Sequence, residues 1–167
     1  MRVDRAREAA LDALAACRRN GAWIDGALKQ VLKRDGLSGR DAAFASRIAY
    51  GVMQNRIYLD RCLARCLTQR PEKLEPLLLD ILRIGAYQIL LMDKVPVNAA
   101  VNEAVEMAKA HKLSRAAGLV NAVLRNVDRR KGEPLAFADE LEALSVQTSH
   151  PRALVERVVG LLGAEEA

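Results

Sequence analysis

Aromatic residues are scarce: two Phe, three Tyr and one Trp make up 4% of the 167 residues. Sheets are built from aromatic and β-branched side chains, so a chain dominated by Ala, Leu, Val, Arg and Glu argues for helices. Cysteine is nearly absent as well. Cys17, Cys62 and Cys66 are odd in number and contain no CxxC pair, and the two histidines, His111 and His150, lie far apart in sequence. A disulfide framework and a zinc site are both excluded as readings, and no metal is expected. Cys62 and Cys66, four apart beside Leu59 and Leu63, read as small buried apolar groups. No long hydrophobic run occurs either. The longest, Leu77 to Met92, is interrupted by Asp80, Arg83 and Gln88, whereas a membrane span needs roughly 20 mostly apolar residues. The first residues lack the apolar centre of a signal peptide, so a cytoplasmic address is the expectation. Glycines come one at a time, with no GxGxxG and no GxxxxGK[ST]. Neither a dinucleotide nor a nucleoside triphosphate has a cradle, and no cofactor is expected.

What is present is a chain with 51% hydrophobic side chains, long enough to bury about 70% of its unfolded surface in one core. Its net charge of +5 is unevenly spread. Residues 1–70 carry 14 Lys/Arg against 7 Asp/Glu, residues 71–131 carry 10 against 7, and residues 132–167 carry 2 against 7. A basic first half and an acidic tail suggest an anionic partner, with nucleic acid first in line.

Apolar residues recur with a period near 3.6 from end to end, which predicts an all-α fold. A first helix is expected from Asp4 to Arg19, closed by Asn20-Gly21. A second holds Leu28, Val31 and Leu32 and ends at Asp35-Gly36. Ser38 with Asp41 resembles a capping box opening a third, through Phe44, Ile48 and Val52. A fourth carries Leu59 and Leu63 up to Arg70-Pro71. From Pro76, Leu77, Leu78, Ile81, Leu82, Ile84 and Ile89 cover more than one face, so this helix should be central and most buried. Another runs from Val97 through Val101, Ala104 and Ala108. Ser114 is expected to cap the next, in which Gly118 permits close helix approach. After Gly132-Glu133-Pro134, the best candidate for a joint, two weaker helices hold Leu141 and Leu144, then Leu154, Val155 and Val159.

Few groups suggest chemistry. Glu103 and Glu106 are read as structural, one paired with Lys109 or Lys112 and the other touching the central helix. Asn98, Asn102 and Asn121 are expected to bond backbone where helices start and cross. Tyr87 belongs to the core, whereas Trp23, Tyr50 and Tyr58 are candidate stacking faces, the last two near Arg47, Arg56 and Arg61. No nucleophile has a partner within a motif, so the chain itself is expected not to be an enzyme. The clearest cluster is Arg2, Arg5 and Arg7 at the start of the first helix, with Arg18 and Arg19 at its end. Arginines at a helix start oppose the helix dipole, and a phosphate-facing role would explain them. Arg47 joins them as a further candidate RNA contact.

The segments AREAALDAL (Ala6 to Leu14), ILRIGAYQILLMDKVPVNAAVNEAVEMAK (Ile81 to Lys109) and GLVNAVLRNV (Gly118 to Val127) resemble the NusB-like helical domain family. Two branches matter: free-standing transcription antitermination factors, and the N-terminal domain of RsmB-type ribosomal RNA cytosine-5 methyltransferases. GLVNAVLR and the later TSHPRALVER (Thr148 to Arg157) resemble the second. The resemblance implies two small helical bundles packed together over residues 1–131, followed over 132–167 by two extra helices that would lead to a methyltransferase domain. It also implies contact with RNA, ribosomal RNA above all, through the basic start of the first helix, where Arg5 and Arg7 match. The catalytic cysteines of the methyltransferases would lie in the following domain, and none of Cys17, Cys62 or Cys66 follows a proline. The antitermination branch implies instead an adaptor that holds RNA together with a small-subunit ribosomal protein.

Overall fold

The computed structural model describes residues 4–162, and among them every regular element is helical. Three helices form the first group: α1 (Arg5–Asn20), α2 (Ile24–Asp35) and α3 (Gly39–Gln54). A short α4 (Arg56–Ala64) leads into α5 (Pro76–Leu91), α6 (Val97–Ala110) and α7 (Ala117–Arg129), and then α8 (Glu140–Thr148) and α9 (Arg152–Leu162) follow. Helix α1 packs on α2 and α3, while α5, α6 and α7 pack on one another. Helix α5 also touches α1, α3 and α4, so the two groups share it.

The helix ends show which local signals operate. Asp4 caps α1, its carboxylate accepting the Arg7 amide at 2.9 Å, and Gly21 ends the helix at φ 64°, a left-handed conformation that a residue with a Cβ adopts at a cost. Pro76 occupies the first turn of α5, where its missing N–H leaves no bond unmade. Two expected caps do not form. Ser38 precedes α3 in extended backbone but makes no side-chain cap bond, so the capping box with Asp41 is absent. Ser114 opens a 3₁₀ turn, Ser114–Ala116, and α7 begins only at Ala117.

Helix α5 is the core of the molecule: Ile81, Leu82, Ile84 and Ala86 are fully enclosed, and Tyr87 is 8% exposed. Gly85 of this helix and Gly51 of α3, not Gly118, mark the close approaches between helices. A Cβ on Gly85 would stand 2.5 Å from Leu124 Cδ1 of α7, and one on Gly51 of α3 would overlap the Tyr87 ring. Gly118 faces open space. Glu106 pairs with Lys109 at 3.7 Å. Glu103 reaches not the central helix but the start of α1, accepting the Asp4 amide at 3.2 Å. Asn98 and Asn121 both accept from the Arg125 guanidinium, at 3.0 and 3.2 Å, which ties α6 to α7 by side chains and not by backbone.

The segment after α7 is held firmly on α4. Arg65 donates to the carbonyls of Arg130 (2.7 Å) and Glu133 (3.2 Å), and Arg130 returns a bond to the Arg65 carbonyl. Arg61 binds Glu142 at 2.7 Å and lies over the Phe137 ring. Ser149, itself left-handed at φ 56°, places its hydroxyl at the start of α4 and accepts from the amides of Ile57 and Tyr58. It therefore satisfies two N–H groups that a helix start leaves open, from 91 or more residues away. Helix α9 packs on α8 and, among the described residues, buries Val155.

Candidate nucleic-acid interface

The six arginines singled out from the sequence do different work. Arg2 lies outside the described residues. Arg7 is 8% exposed: its Nε donates to Gln88 Oε1 at 2.8 Å, its guanidinium sits 5.0 Å from the Phe44 ring centroid, and Asp4 lies 3.5 Å away. Gln88, also buried, passes the chain on by donating to the Ile84 carbonyl at 2.9 Å. Arg7 thus joins α1, α3 and α5 from inside, with its side chain only 10% exposed. These core contacts are by themselves a reason for an arginine in the first turn of α1, against the helix dipole.

Arg18 is exposed, but its guanidinium also has a partner. It pairs with Asp80 on α5; Asp80 also accepts from Arg83 at 3.2 Å, and Arg83 in turn grips both oxygens of Asp60 on α4 at 2.7 and 2.8 Å. Burial pushes the Asp80 carboxyl up from its ordinary value, against the pull of Arg18 and Arg83. Two cations and two carboxylates alternate along this chain, so each charge taken from water has a partner.

Arg5, Arg19 and Arg47 do face solvent. Arg5 donates one N–H to the Asp35 carbonyl at the end of α2, where a cation complements the negative end of the helix, and its other donors stay open. Arg19 and Arg47 make no ion pair among the described residues. Two further exposed arginines, Arg40 and Arg56, are likewise unpaired among the described residues. Arg40 and Arg47 stand two turns apart on α3, about 10 Å along its axis, and Arg56 follows at the start of α4. The seven-residue spacing of Arg40 and Arg47 was visible in the sequence. What hid it was the density of arginines around α1, of which Arg7 is buried in the core and Arg18 is paired with Asp80.

The candidate stacking residues also divide. Tyr58 is half-buried, and burial raises both its hydroxyl and the neighbouring Cys62 thiol from their ordinary values, as expected of inert packed groups. Tyr50 donates its hydroxyl to Asp25 of α2. Trp23 stands clear, 86% exposed at the start of α2.

A methyl-transfer reaction would require S-adenosylmethionine, and the described residues do not fit it. No strand feeds a helix among them, and the glycines at positive φ, Gly21, Gly36 and Gly39, stand singly at helix ends. A nucleotide-like cofactor is held by a glycine-rich strand-to-helix turn, which these elements do not form.

The model of the NusB family matches residues 4–129. The chain belongs to the NusB family. It is similar over its whole length, at 36% identity, to a probable ribosomal RNA small subunit methyltransferase B of Bacillus subtilis, of which it covers 37%. A transcription antitermination protein NusB of Chloroflexus aggregans is 33% identical over 75% of this chain and 86% of its own length. The crystal structure of PH0851 superposes on 99% of the chain with a TM-score of 0.76 and 19% identity, matching 38% of that protein, which shows the fold. The chain thus spans little more than a third of the methyltransferase relative it matches throughout.

Proposed function

We propose that this NusB-family domain binds RNA and serves as the recognition domain of a ribosomal RNA cytosine-5 methyltransferase, with residues 1–131 as the recognition unit and 132–167 leading to the catalytic domain. The observation that carries this reading is the extent of the match. The methyltransferase relative is similar to the whole chain, α8 and α9 included, whereas the antitermination protein is similar to three quarters of it. The surface supports the same reading. Arg5, Arg19 and Arg47 supply guanidinium groups to phosphates, with Arg2 and the unused donors of Arg18 as further contributors, and they sit on helices fixed by the Arg7 and Asp80 contacts. Helix α9 leaves Leu154, Val158, Leu161 and Leu162 exposed, a face suited to packing against a following domain.

The antitermination relatives support a second reading, an adaptor that holds RNA together with a small-subunit ribosomal protein. Fluorescence anisotropy separates the two. Titration of labelled ribosomal RNA fragments with this chain alone should give saturable binding under the first reading. Under the adaptor reading, binding should appear only after a small-subunit ribosomal protein is added.

A further inference from the structure

Trp23 has no structural reason to be tryptophan. It occupies the position before α2, where a Ser, Thr, Asp or Asn would accept an amide proton, and it makes no cap bond. Nor does it pack, since 86% of it is exposed. Yet its backbone is firmly set. The Trp23 carbonyl accepts the Ala27 amide at 3.0 Å, Gly21 fixes the preceding turn, and the Tyr50–Asp25 bond pins the start of α2 to α3.

Beside it, Gly21 and Ala22 form one wall of a cleft of about 230 Å³, closed on the other sides by Met53, Arg56, Arg18 and Asp80. The cleft runs between the ends of α1 and α3 and the start of α4. Its carboxylate is already occupied by Arg18 and Arg83, and Asp60 behind it by Arg83. Arg56, which lines the cleft, has no partner among the described residues, and neither does the exposed Arg47, six residues before Met53 on α3. The cleft thus offers a sulfur-bearing side chain that is 38% exposed and a surplus of guanidinium groups, and the exposed Trp23 ring, not itself part of the lining, follows directly on Ala22 of its wall.

We infer that Trp23 and this cleft receive an unpaired base of single-stranded RNA, stacked on the indole, with the flanking phosphates held by Arg56 and Arg47. The inference rests on the RNA-binding reading and adds to it a site and a preference for unpaired strands. Stacking on an aromatic face needs only one ring and works for any base, and cations on either side follow the strand. A protein partner would ask for more. A stable interface buries roughly 800 Å² per side around an apolar centre, whereas the exposed residues flanking Trp23 along the chain, Asn20, Gly21, Asp25, Gly26 and Lys29, are polar, charged or glycine, and Met53 is the large exposed apolar group on the cleft.

The chain holds a single tryptophan, so its emission reports on this site alone. The experiment uses the 167-residue chain, an unstructured RNA of about 12 nucleotides, within the site size of such proteins, the same strand annealed into a duplex, and an abasic strand of equal length. The single strand should quench Trp23 emission saturably and more strongly than the duplex does. Trp23→Ala should weaken binding of the single strand, read by anisotropy, roughly 5- to 150-fold, the loss of one stacked base. It should leave binding of the abasic strand unchanged. If labelled RNA binds while Trp23 emission and the affinity of the variant stay as they were, the stacking site is overturned and RNA binding stands. Equal losses on the normal and abasic strands also overturn it. Emission that ignores RNA but shifts on adding a small-subunit ribosomal protein assigns the surface to a protein and overturns it too. If anisotropy shows no RNA binding at all, both the site and the RNA-binding reading fall.

Discussion

Gly85 offers a test of the packing in which two physical effects predict opposite signs. It lies inside α5, where replacing glycine by alanine in an exposed helix would stabilise by about 0.8–1 kcal/mol through backbone entropy. Here the added Cβ would meet Leu124 at 2.5 Å from Cδ1, 3.0 Å from Cδ2 and 3.3 Å from Cγ, and Leu124 is fully enclosed. Forcing a methyl group into a filled core costs roughly 1–3 kcal/mol. The overlap is with three atoms of one branched side chain that has no open space to turn into, so the upper part of that range applies. Gly85→Ala should therefore destabilise by about 1–2 kcal/mol net of the propensity gain. Leu124→Ala alone should cost about 2–5 kcal/mol by leaving a cavity. In the double variant the new methyl group occupies part of that cavity, so the two losses should fall short of additive by about 1 kcal/mol or more. Urea denaturation of the four proteins, with equal slopes checked first, gives the cycle. A Gly85→Ala variant more stable than the parent would refute the close approach of α5 and α7.

Other consequences are as direct. Arg7→Ala should cost about 1.5–3 kcal/mol, because it strands the Gln88 oxygen in the core, while Arg47→Ala stays within about 0.5 kcal/mol; equal losses in urea melts would contradict the buried placement of Arg7. Leu82→Ala in fully enclosed surroundings should cost about 2–5 kcal/mol, and a loss below about 1 kcal/mol would remove α5 from the centre. Glu8 is raised above its ordinary value, chiefly by burial and against the pull of His111. A carboxyl raised in the folded state stabilises below its unfolded value, and that contribution is lost as pH rises through the folded one. Glu8→Gln should therefore gain on the parent protein as pH climbs through and above the ordinary carboxylate range, which a pH series of thermal melts checks; a gain on acidification would reverse the argument.

Much of the fold was legible because helical periodicity is a local property: α1, α5 and α6 announce themselves through their apolar spacing, and Gly21 and Pro76 mark their ends. The expectations that changed all depended on distant residues. Ser38 has capping chemistry, but its side chain makes no cap bond. Ser149, a few residues before α9, finds its amides on α4. Gly118 and Gly85 are alike in sequence, and only the position of α7 decides which one permits contact. The binding surface was less legible for the same reason. Arg7 and Arg47 have equal charge, and nothing local says that Gln88, 81 residues on, claims the first. Trp23 was visible as an aromatic candidate, but its exposure beside a cleft follows from how α3 and α4 pass the α1–α2 turn.

Phosphate recognition by solvent-facing arginines has its sharpest test in the salt dependence of RNA affinity. The slope of log K against log salt should be measured by anisotropy for the parent chain, for Arg7→Ala, and for a triple variant, Arg5→Ala with Arg19→Ala and Arg47→Ala. Removing one arginine from a phosphate of a single strand lowers the slope by about 0.7, so the triple variant should flatten it by about 2. Its helical content should be unchanged, since all three side chains are exposed. Arg7→Ala should lose stability and keep the parent slope. A triple variant whose line superposes on the parent's, or a slope that falls with Arg7 alone, would rule out recognition through these exposed side chains.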